Sequence, residues 1–267
     1  ACGMTPPAPL QARGLREASF ASDGESLDEH YAIMEREGAR NEVLNAMELG
    51  LCRFAEGDDA EAARLFDRAI ARIETFYIDD PNANLVRTSL SAEEGLKDFK
   101  GEPYERAMLY YYRGLVYLAQ GRPSNARAAF RAGALHDAIA EEDQFRCDFA
   151  LLYFMQAIAS TSMADTERAA EGWGLVQRLR PDCRIPDGNA WTLVLVESGG
   201  APVKMVDGVE GQRLTVHRNL DVNHPKLRVL ASSTPLELSA IEDVFVQAST
   251  RGGRPIDSFL DGKARYK

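Results

Sequence analysis

The sequence predicts a mainly α protein: an array of helical hairpins, about three repeats with a capping helix, followed by a small C-terminal β-rich module. Three observations predict it. Small and aromatic residues recur at matching offsets three times between residues 44 and 181. After Gly188 the helical periodicity gives way to β-branched and alternating runs. The charge divides near the same place: residues 201–267 hold ten Lys+Arg and eight Asp+Glu, a net of +2, against −10 for the whole chain. The composition, 45% hydrophobic and 27% charged over 267 residues, is that of a folded chain and excludes wholesale disorder. The acidic balance is the wrong sign for a general nucleic-acid binder. No stretch approaches the roughly 20 consecutive apolar residues of a membrane-spanning helix.

Residues 1–15 read as a tether. They open Ala1-Cys2-Gly3-Met4, without an initiator Met, and continue into Thr5-Pro6-Pro7-Ala8-Pro9. A Cys beside a small residue, followed by a Pro-rich polar run, resembles the junction of a bacterial lipoprotein. There the Cys becomes the acylated first residue, and each buried CH₂ adds about 0.8 kcal/mol of membrane affinity. Cys2 is therefore the expected lipidation site, and Gly3 after it resembles lipoproteins sorted to the outer membrane. The competing reading is an ordinary tail with a chance Cys.

Residues 16–185 read as the helical array, with residues 16–38 as a Glu- and Arg-rich cap. The first unit carries Leu49-Gly50, Gly57-Asp58, Ala62, Phe66 and Ala69. The second repeats the offsets as Gly114, Tyr117, Gly121, Ala126, Phe130 and Gly133. The third has Ala157, Ala164-Asp165, Ala169, Trp173 and Val176, closed by Pro181. These are the offsets of a tetratricopeptide repeat. Gly50, Gly114 and Ala157 let the two helices of a pair approach closely. Gly57 and Gly121 turn the chain between them, where a glycine's freedom is needed. The second helix docks through a small residue and then Phe66, Phe130 or Trp173. The spacing is irregular: 64 residues separate Gly50 from Gly114 and 43 separate Gly114 from Ala157, against about 34 in a regular array. An insertion over residues 74–102 accounts for the longer gap, with a turn at Asp79–Asn84.

The first helix of each pair lines the inner face of such an array. In the three units that face carries Leu44, Met47, Leu51 and Phe54; Met108, Tyr111, Leu115 and Leu118; and Leu151, Phe154 and Ile158. The helices are apolar on more than one side, so they are expected to be buried on more than one side. Two readings follow. Either another part of this chain fills the face, or the face is a hydrophobic groove for a partner helix or a lipid-like tail.

Residues 186–250 read as the β-rich module, and 251–267 as a loose basic tail. Trp191–Glu197 is a β-branched run broken by Ser198-Gly199-Gly200, and Val203–Val206 is placed to pair back on it. Gln212–Arg218 alternates as a half-buried strand, and Lys226–Ala231 is another candidate. Ser239–Ser249 reads as a short helix, with Leu238, Ile241, Val244 and Phe245 on one face. Packing this module into the helical groove would account for both apolar surfaces together.

No catalytic pattern stands out. The chain lacks G-x-S-x-G, a phosphate-binding G-x-x-x-x-G-K-[ST] and H-E-x-x-H. Of the histidines His30, His136, His217 and His224, only the last two are close enough in sequence to suggest a metal, and they would need further ligands. No metal site and no cofactor are expected. Glu141-Glu142-Asp143 reads as a solvated turn. Glu102 and Glu105 flank Tyr104 and could form an acid–base pair, though fixing the start of the Tyr-rich helix is the simpler role. Tyr110–Tyr112 with Arg106 and Arg113 could stack on bases, but the net charge favours core packing. Cys52 reads as a small buried hydrophobe. Cys147 and Cys183 form a disulfide or remain thiols, depending on the compartment.

The segment Phe99-Lys100-Gly101-Glu102-Pro103-Tyr104-Glu105, leading into Met108-Leu109-Tyr110-Tyr111, is similar to the central motif of an uncharacterised family of bacterial tetratricopeptide-type outer-membrane lipoproteins. Gly101, Tyr104 and Glu105 match that motif, while Phe99 replaces its first Tyr and Pro103 falls inside its spacer. Leu193–Gly199, followed by Ala201-Pro202-Val203-Lys204, resembles the family's second motif. The resemblance covers roughly residues 40–250. It implies a lipid-anchored protein at the periplasmic face of the outer membrane. It also implies an association with lipoproteins related to the curli secretion channel, or with other envelope assembly components.

The function expected from these readings is a non-enzymatic, lipid-anchored periplasmic scaffold that positions protein partners in envelope or surface-fibre secretion complexes. The alternative is a soluble tetratricopeptide adaptor, periplasmic or cytoplasmic, that binds a peptide or helix in its concave groove. An enzyme using the β-rich module is a third reading. Neither nucleic acid nor a small-molecule substrate is expected.

Overall fold

The computed structural model describes residues 27–78, 99–138, 148–186, 192–207, 213–218, 226–227, 236–238 and 240–250. Seven helices make up the larger part: α1 (Leu27–Glu37), α2 (Glu42–Glu56), α3 (Asp59–Ile78), α4 (Pro103–Ala119), α5 (Pro123–Asp137), α6 (Ala150–Ser162) and α7 (Thr166–Leu179). A 3-10 turn, Gly38–Arg40, joins α1 to α2. The helices pair in chain order as three hairpins, α2/α3, α4/α5 and α6/α7. Successive hairpins meet through α3 with α4 and α5 with α6.

The turns inside the hairpins share one geometry. Gly57 (φ 84°) and Gly121 (φ 68°) hold the left-handed position. The residue after each donates its N–H back into the preceding helix, Asp58 to Arg53 O and Arg122 to Tyr117 O, both at 2.9 Å. The third turn copies this bond, with Asp165 N–H reaching Ser160 O at 3.0 Å. Its left-handed residue is Ala164 (φ 57°), which costs roughly 1–2 kcal/mol relative to an ordinary conformation. The second helices start cleanly. The Asp58 and Asp165 carboxylates accept N–H bonds from Glu61 and Arg168, and Pro123 occupies the first turn of α5.

Close packing inside the hairpins follows the small-and-aromatic pattern twice and inverts it once. A Cβ on Gly50 would lie 2.5 Å from the Phe66 ring, and one on Gly114 would lie 2.2 Å from the Phe130 ring. In the third hairpin the close approach is between Ala157 and Gly172, where an added Cβ would be 2.9 Å away. The small residue there is on the second helix, so Trp173 turns aside and meets Phe154 edge-on at 5.2 Å. Between the first two hairpins, Arg113 in α4 grips Asp67 in α3 through two bonds of 2.7 and 3.0 Å. Its guanidinium lies 3.6 Å over the Tyr117 ring.

The expected cap over 16–38 is described only as α1 and its turn. Met34 of α1 packs on Leu49 and Leu65, and Tyr31 donates to Glu61 at 2.7 Å. The insertion begins later than expected, because α3 continues to Ile78. The turn at Asp79–Asn84 lies outside the described residues.

The C-terminal module pairs its strands differently from the sequence expectation. β1 (Val203–Asp207) runs antiparallel to β2 (Arg213–His217), with Met205 opposite Thr215. It does not pair with the run before it. Thr192–Ser198 passes without turn or bend and belongs to no strand. The reason is that Leu193 and Glu197 are both held by the helices, as described below. A second pair, β3 (Lys226–Leu227) with β4 (Leu236–Glu237), takes up the start of the candidate strand at Lys226–Ala231. The final helix, α8 (Val244–Thr250), starts five residues after Ser239. Asp243 sets that start, since its carboxylate accepts the Phe245 N–H at 3.0 Å. The tail expected at 251–267 lies outside the described residues.

Candidate functional site

The inner face of the hairpins is the one surface that the sequence marked for function. Five of its residues are buried: Tyr111 and Leu118 on α4, and Leu151, Phe154 and Ile158 on α6. Met108 and Leu115 are partly buried against the same core. The cover is the C-terminal module: Leu193, Val216, Ile241, Val244 and the buried Ala248 pack into the core formed by those helices. Over the second and third hairpins the face is therefore internal, and the chain itself fills it. On the first hairpin, Leu44, Met47, Leu51 and Phe54 are partly buried. Phe54 meets Tyr112 edge-on at 5.6 Å.

Among the described residues, polar contacts at three places fasten the cover. Tyr112 donates its hydroxyl to Glu197 at 2.7 Å. Glu197 is exposed as a whole residue, yet its carboxyl lies among protein atoms. That crowding raises its pKa, while hydrogen bonds from Tyr112 and Tyr111 oppose the rise. Burial, followed by the nearby Glu197 charge, lifts both tyrosine hydroxyls well above their ordinary range.

The second contact centres on Glu242, whose side chain is 3% exposed. The start of α6 has no side-chain cap of its own from Phe149. Glu242 supplies a carboxylate there, accepting the Leu151 N–H at 3.4 Å, and its charge suits a helix N-terminus. Arg180, just beyond α7, donates to the same carboxylate at 3.0 Å and to the Ile241 carbonyl at 3.1 Å. Gln247 donates to it at 3.1 Å. Burial raises the Glu242 carboxyl above its ordinary value, and these donors oppose the rise. One side chain of the module thus joins both ends of the third hairpin. In the third contact, Lys204 on β1 pairs with Glu102 at the start of α4.

The residues matching the family-like motif sit at that same helix start. Gly101 adopts φ 72°, and the Glu102 N–H donates to Glu105 at 2.6 Å, which closes the first turn of α4. Tyr104 is buried, and its hydroxyl reaches Glu105 at 3.4 Å. Glu102 and Glu105 are thereby engaged in an ion pair and a helix cap. Arg106, 5% exposed, donates to the Gly101 carbonyl at 2.5 Å and to His136 Nδ1 at 3.2 Å. His136 stacks on Tyr110 at 5.1 Å. Burial, with the Arg106 charge second, pulls the His136 pKa down to about 4 and keeps the ring neutral. The role of His136 had no signal in sequence beyond its place on the helix following Arg106, 30 residues away.

The remaining candidates do not converge. His217 contacts the Thr215 hydroxyl at 2.8 Å on the exposed hairpin. His224 and Glu141–Asp143 lie outside the described residues. So does Cys147, the candidate disulfide partner of Cys183. Cys183 carries a free thiol packed against the core, and burial raises its pKa, as it does that of Cys52. Arg113, 5% exposed and bonded to Asp67, is not presented for phosphate contact. Among the described residues, no group of three or more His, Cys, Asp or Glu is arranged to hold a metal ion. No described helix is long and apolar enough to cross a membrane. Neither a family model nor a curated protein matches this chain.

Proposed function

We propose that this chain is a non-enzymatic scaffold of the bacterial envelope, with tetratricopeptide-like repeats, held by an acyl group on Cys2 at the periplasmic face of the outer membrane. One observation carries the scaffold reading: the chain's own C-terminal module covers the inner face of the second and third hairpins through Leu193, Ile241, Val244 and Ala248. A filled face makes a firm body that presents outer surfaces to protein partners. The tetratricopeptide assignment is supported by the Gly50–Phe66 and Gly114–Phe130 contacts and the shared turn at Gly57, Gly121 and Ala164. Membership of the uncharacterised lipoprotein family rests on the motif around Gly101, Tyr104 and Glu105. The partner proposed with it is a lipoprotein related to the curli secretion channel, or another envelope assembly component.

The anchor rests on the sequence from Ala1 to Pro9 and is tested apart from the fold. Produced with a lipoprotein leader, the chain should incorporate labelled palmitate and sediment with outer membranes, and Cys2→Ala should abolish both. Unlabelled chain, soluble with or without Cys2, would refute the anchor. Cross-linking in intact cells, followed by purification from membranes, tests the partner; recovery of the chain alone would refute it. The adaptor reading keeps one observation in its favour, that Met47, Leu51 and Phe54 on the first hairpin are only partly buried. Leu51→Glu separates the two readings. A folded variant that loses its partner makes that face a groove, whereas a variant that retains it leaves the scaffold reading in place.

A further inference from the structure

The cover over the inner face has firm fastenings and a light one. Glu242 meets Arg180, Gln247 and the Leu151 N–H, and Lys204 on β1 pairs with Glu102. The light fastening is the strap Thr192–Ser198. Six of its seven residues are exposed. Among the described residues, no backbone–backbone hydrogen bond joins it to the rest of the chain. Two of its side chains reach the helices: Leu193 packs against the core, and Glu197 accepts the Tyr112 hydroxyl at 2.7 Å.

The chemistry under the strap is specific. Tyr111 and Tyr112 both hydrogen-bond to the Glu197 carboxyl. Burial, with the Glu197 charge second, keeps both hydroxyls well above their ordinary range, so they stay neutral donors. Among the described residues, Glu102 and Glu242 each face a base, whereas Glu197 has only these two hydroxyls. Burial holds its carboxyl above the ordinary value, because the hydroxyls offset only part of its desolvation. Leu193 and Glu197 lie four residues apart in a straight run, a span of about 13 Å at ~3.3 Å per residue. They mark two points on the side of the strap that faces the helices.

We propose that the strap is an exchangeable occupant, and that the face beneath it receives an extended peptide of a protein partner, with a carboxylate set on Tyr111 and Tyr112 and an apolar side chain four residues before it. The strap defines this ligand by filling its place. Segments held by few buried contacts are the ones that open most readily. Gly199 (φ 93°) turns the chain between the strap and β1, so the strap lifts while Lys204 keeps Glu102. The face so uncovered is continuous with the partly buried face of the first hairpin, because the Tyr112 ring meets Phe54 edge-on at 5.6 Å. The inference deepens the scaffold reading, on which it rests for the existence of a protein partner. It is tested on the chain alone, so its failure leaves the anchor and the membrane partner where they stand.

The probe is a fluorescein-labelled peptide with the strap's own sequence, Thr192 to Ser198, flanked by lysines for solubility. Its binding to the whole chain is read by fluorescence anisotropy. In the parent the strap competes from within, at the high effective concentration of a tethered segment, and holds the peptide off. Leu193→Asp and, separately, Glu197→Ala release the strap, and each should bind the peptide at least about tenfold more tightly than the parent. Helical circular dichroism checks that both fold. Glu197 is exposed as a residue, so Glu197→Ala carries the test if Leu193→Asp does not fold. The peptide with the Glu197→Gln change should bind the opened chains at least about tenfold more weakly, and adding Tyr112→Phe to Glu197→Ala should remove most of the gain. Folded, opened chains that take up no peptide up to its solubility would overturn the proposal. So would a parent and variants that bind alike. Binding that ignores the peptide's carboxylate would be apolar adhesion alone and would overturn it as well.

Discussion

Gly114→Ala puts the hairpin packing under direct strain. In an open helix, Gly to Ala stabilises by up to about 1 kcal/mol, because alanine has less backbone freedom to lose. At Gly114 the new methyl would lie 2.2, 2.6 and 2.7 Å from three atoms of the Phe130 ring. Phe130 is fully buried, so the ring has no solvent to move into. A contact near 3.6 Å requires the ring or the helix to shift by more than 1 Å. Forcing a methyl into a packed core costs about 1–3 kcal/mol, and three short contacts on a fixed ring place this site at the upper end. The balance is a destabilisation of about 2 kcal/mol, or roughly 4–8 °C in melting temperature for a chain of this size. Gly174 in α7 is the control, since a Cβ there meets nothing within 4 Å. Gly174→Ala should stabilise by a few tenths to about 1 kcal/mol. Urea unfolding followed by circular dichroism at 222 nm measures both. Adding Phe130→Leu to Gly114→Ala should recover part of the loss, against the additive expectation for independent sites. A Gly114→Ala chain as stable as the parent would refute the reasoning.

Four further outcomes follow from the same geometry. His136 is neutral in the fold with a pKa near 4 and protonates near 6.5 once unfolded, so the unfolded state binds the extra proton between those values. Its contribution to stability is therefore whole above about pH 6.5 and lost as pH falls, by about 2 kcal/mol at pH 5. His136→Asn should flatten the stability–pH curve between pH 7 and 5, and an unchanged slope would count against the buried neutral ring. Ala164→Gly should stabilise by up to about 1 kcal/mol by relieving the left-handed alanine, as read from the urea midpoint. Glu242→Ala should cost about 1–3 kcal/mol, because Arg180, Gln247 and the Leu151 N–H lose their shared acceptor. Glu242→Gln should cost less, as judged by the same unfolding curves. Tyr112→Phe should remove the Glu197 bond and loosen Thr192–Ser198, read as faster amide exchange there with little change in global stability.

What could be read from sequence was whatever is fixed locally. Gly57 and Gly121 announce left-handed turns because few other residues adopt positive φ readily, and the Gly50–Phe66 spacing announces close helices. The third turn was legible only through its register with the first two, since Ala164 carries no such signal. Register could not say which of the neighbours Gly172 and Trp173 faces Ala157, because one residue's rotation of a helix exchanges them. Strand partners were less legible still. Alternation marked Gln212–Arg218 as a strand, and nearness in sequence placed Val203–Val206 against the run before it, but neither signal fixes a partner, and Leu193 and Glu197 had tertiary contacts available that withdrew Thr192–Ser198 from pairing. The helices apolar on several sides did report burial of the inner face, while leaving open what buries it. Glu242 gave no signal at all, because its bonds reach Leu151 and Arg180, 91 and 62 residues away.

The closed inner face is most directly tested by amide hydrogen exchange along α4 and α6, comparing the parent chain with Ala248→Asp. Ala248 is 4% exposed against the core shared by those helices, so a carboxylate there should displace α8 and with it the cover. The account predicts faster exchange in α4 and at the start of α6, around Leu151 and Leu152, while α2 and α3 keep the parent's rates. Unchanged protection of α4 and α6 in a folded Ala248→Asp chain would contradict it, because the face would then be stable without the module.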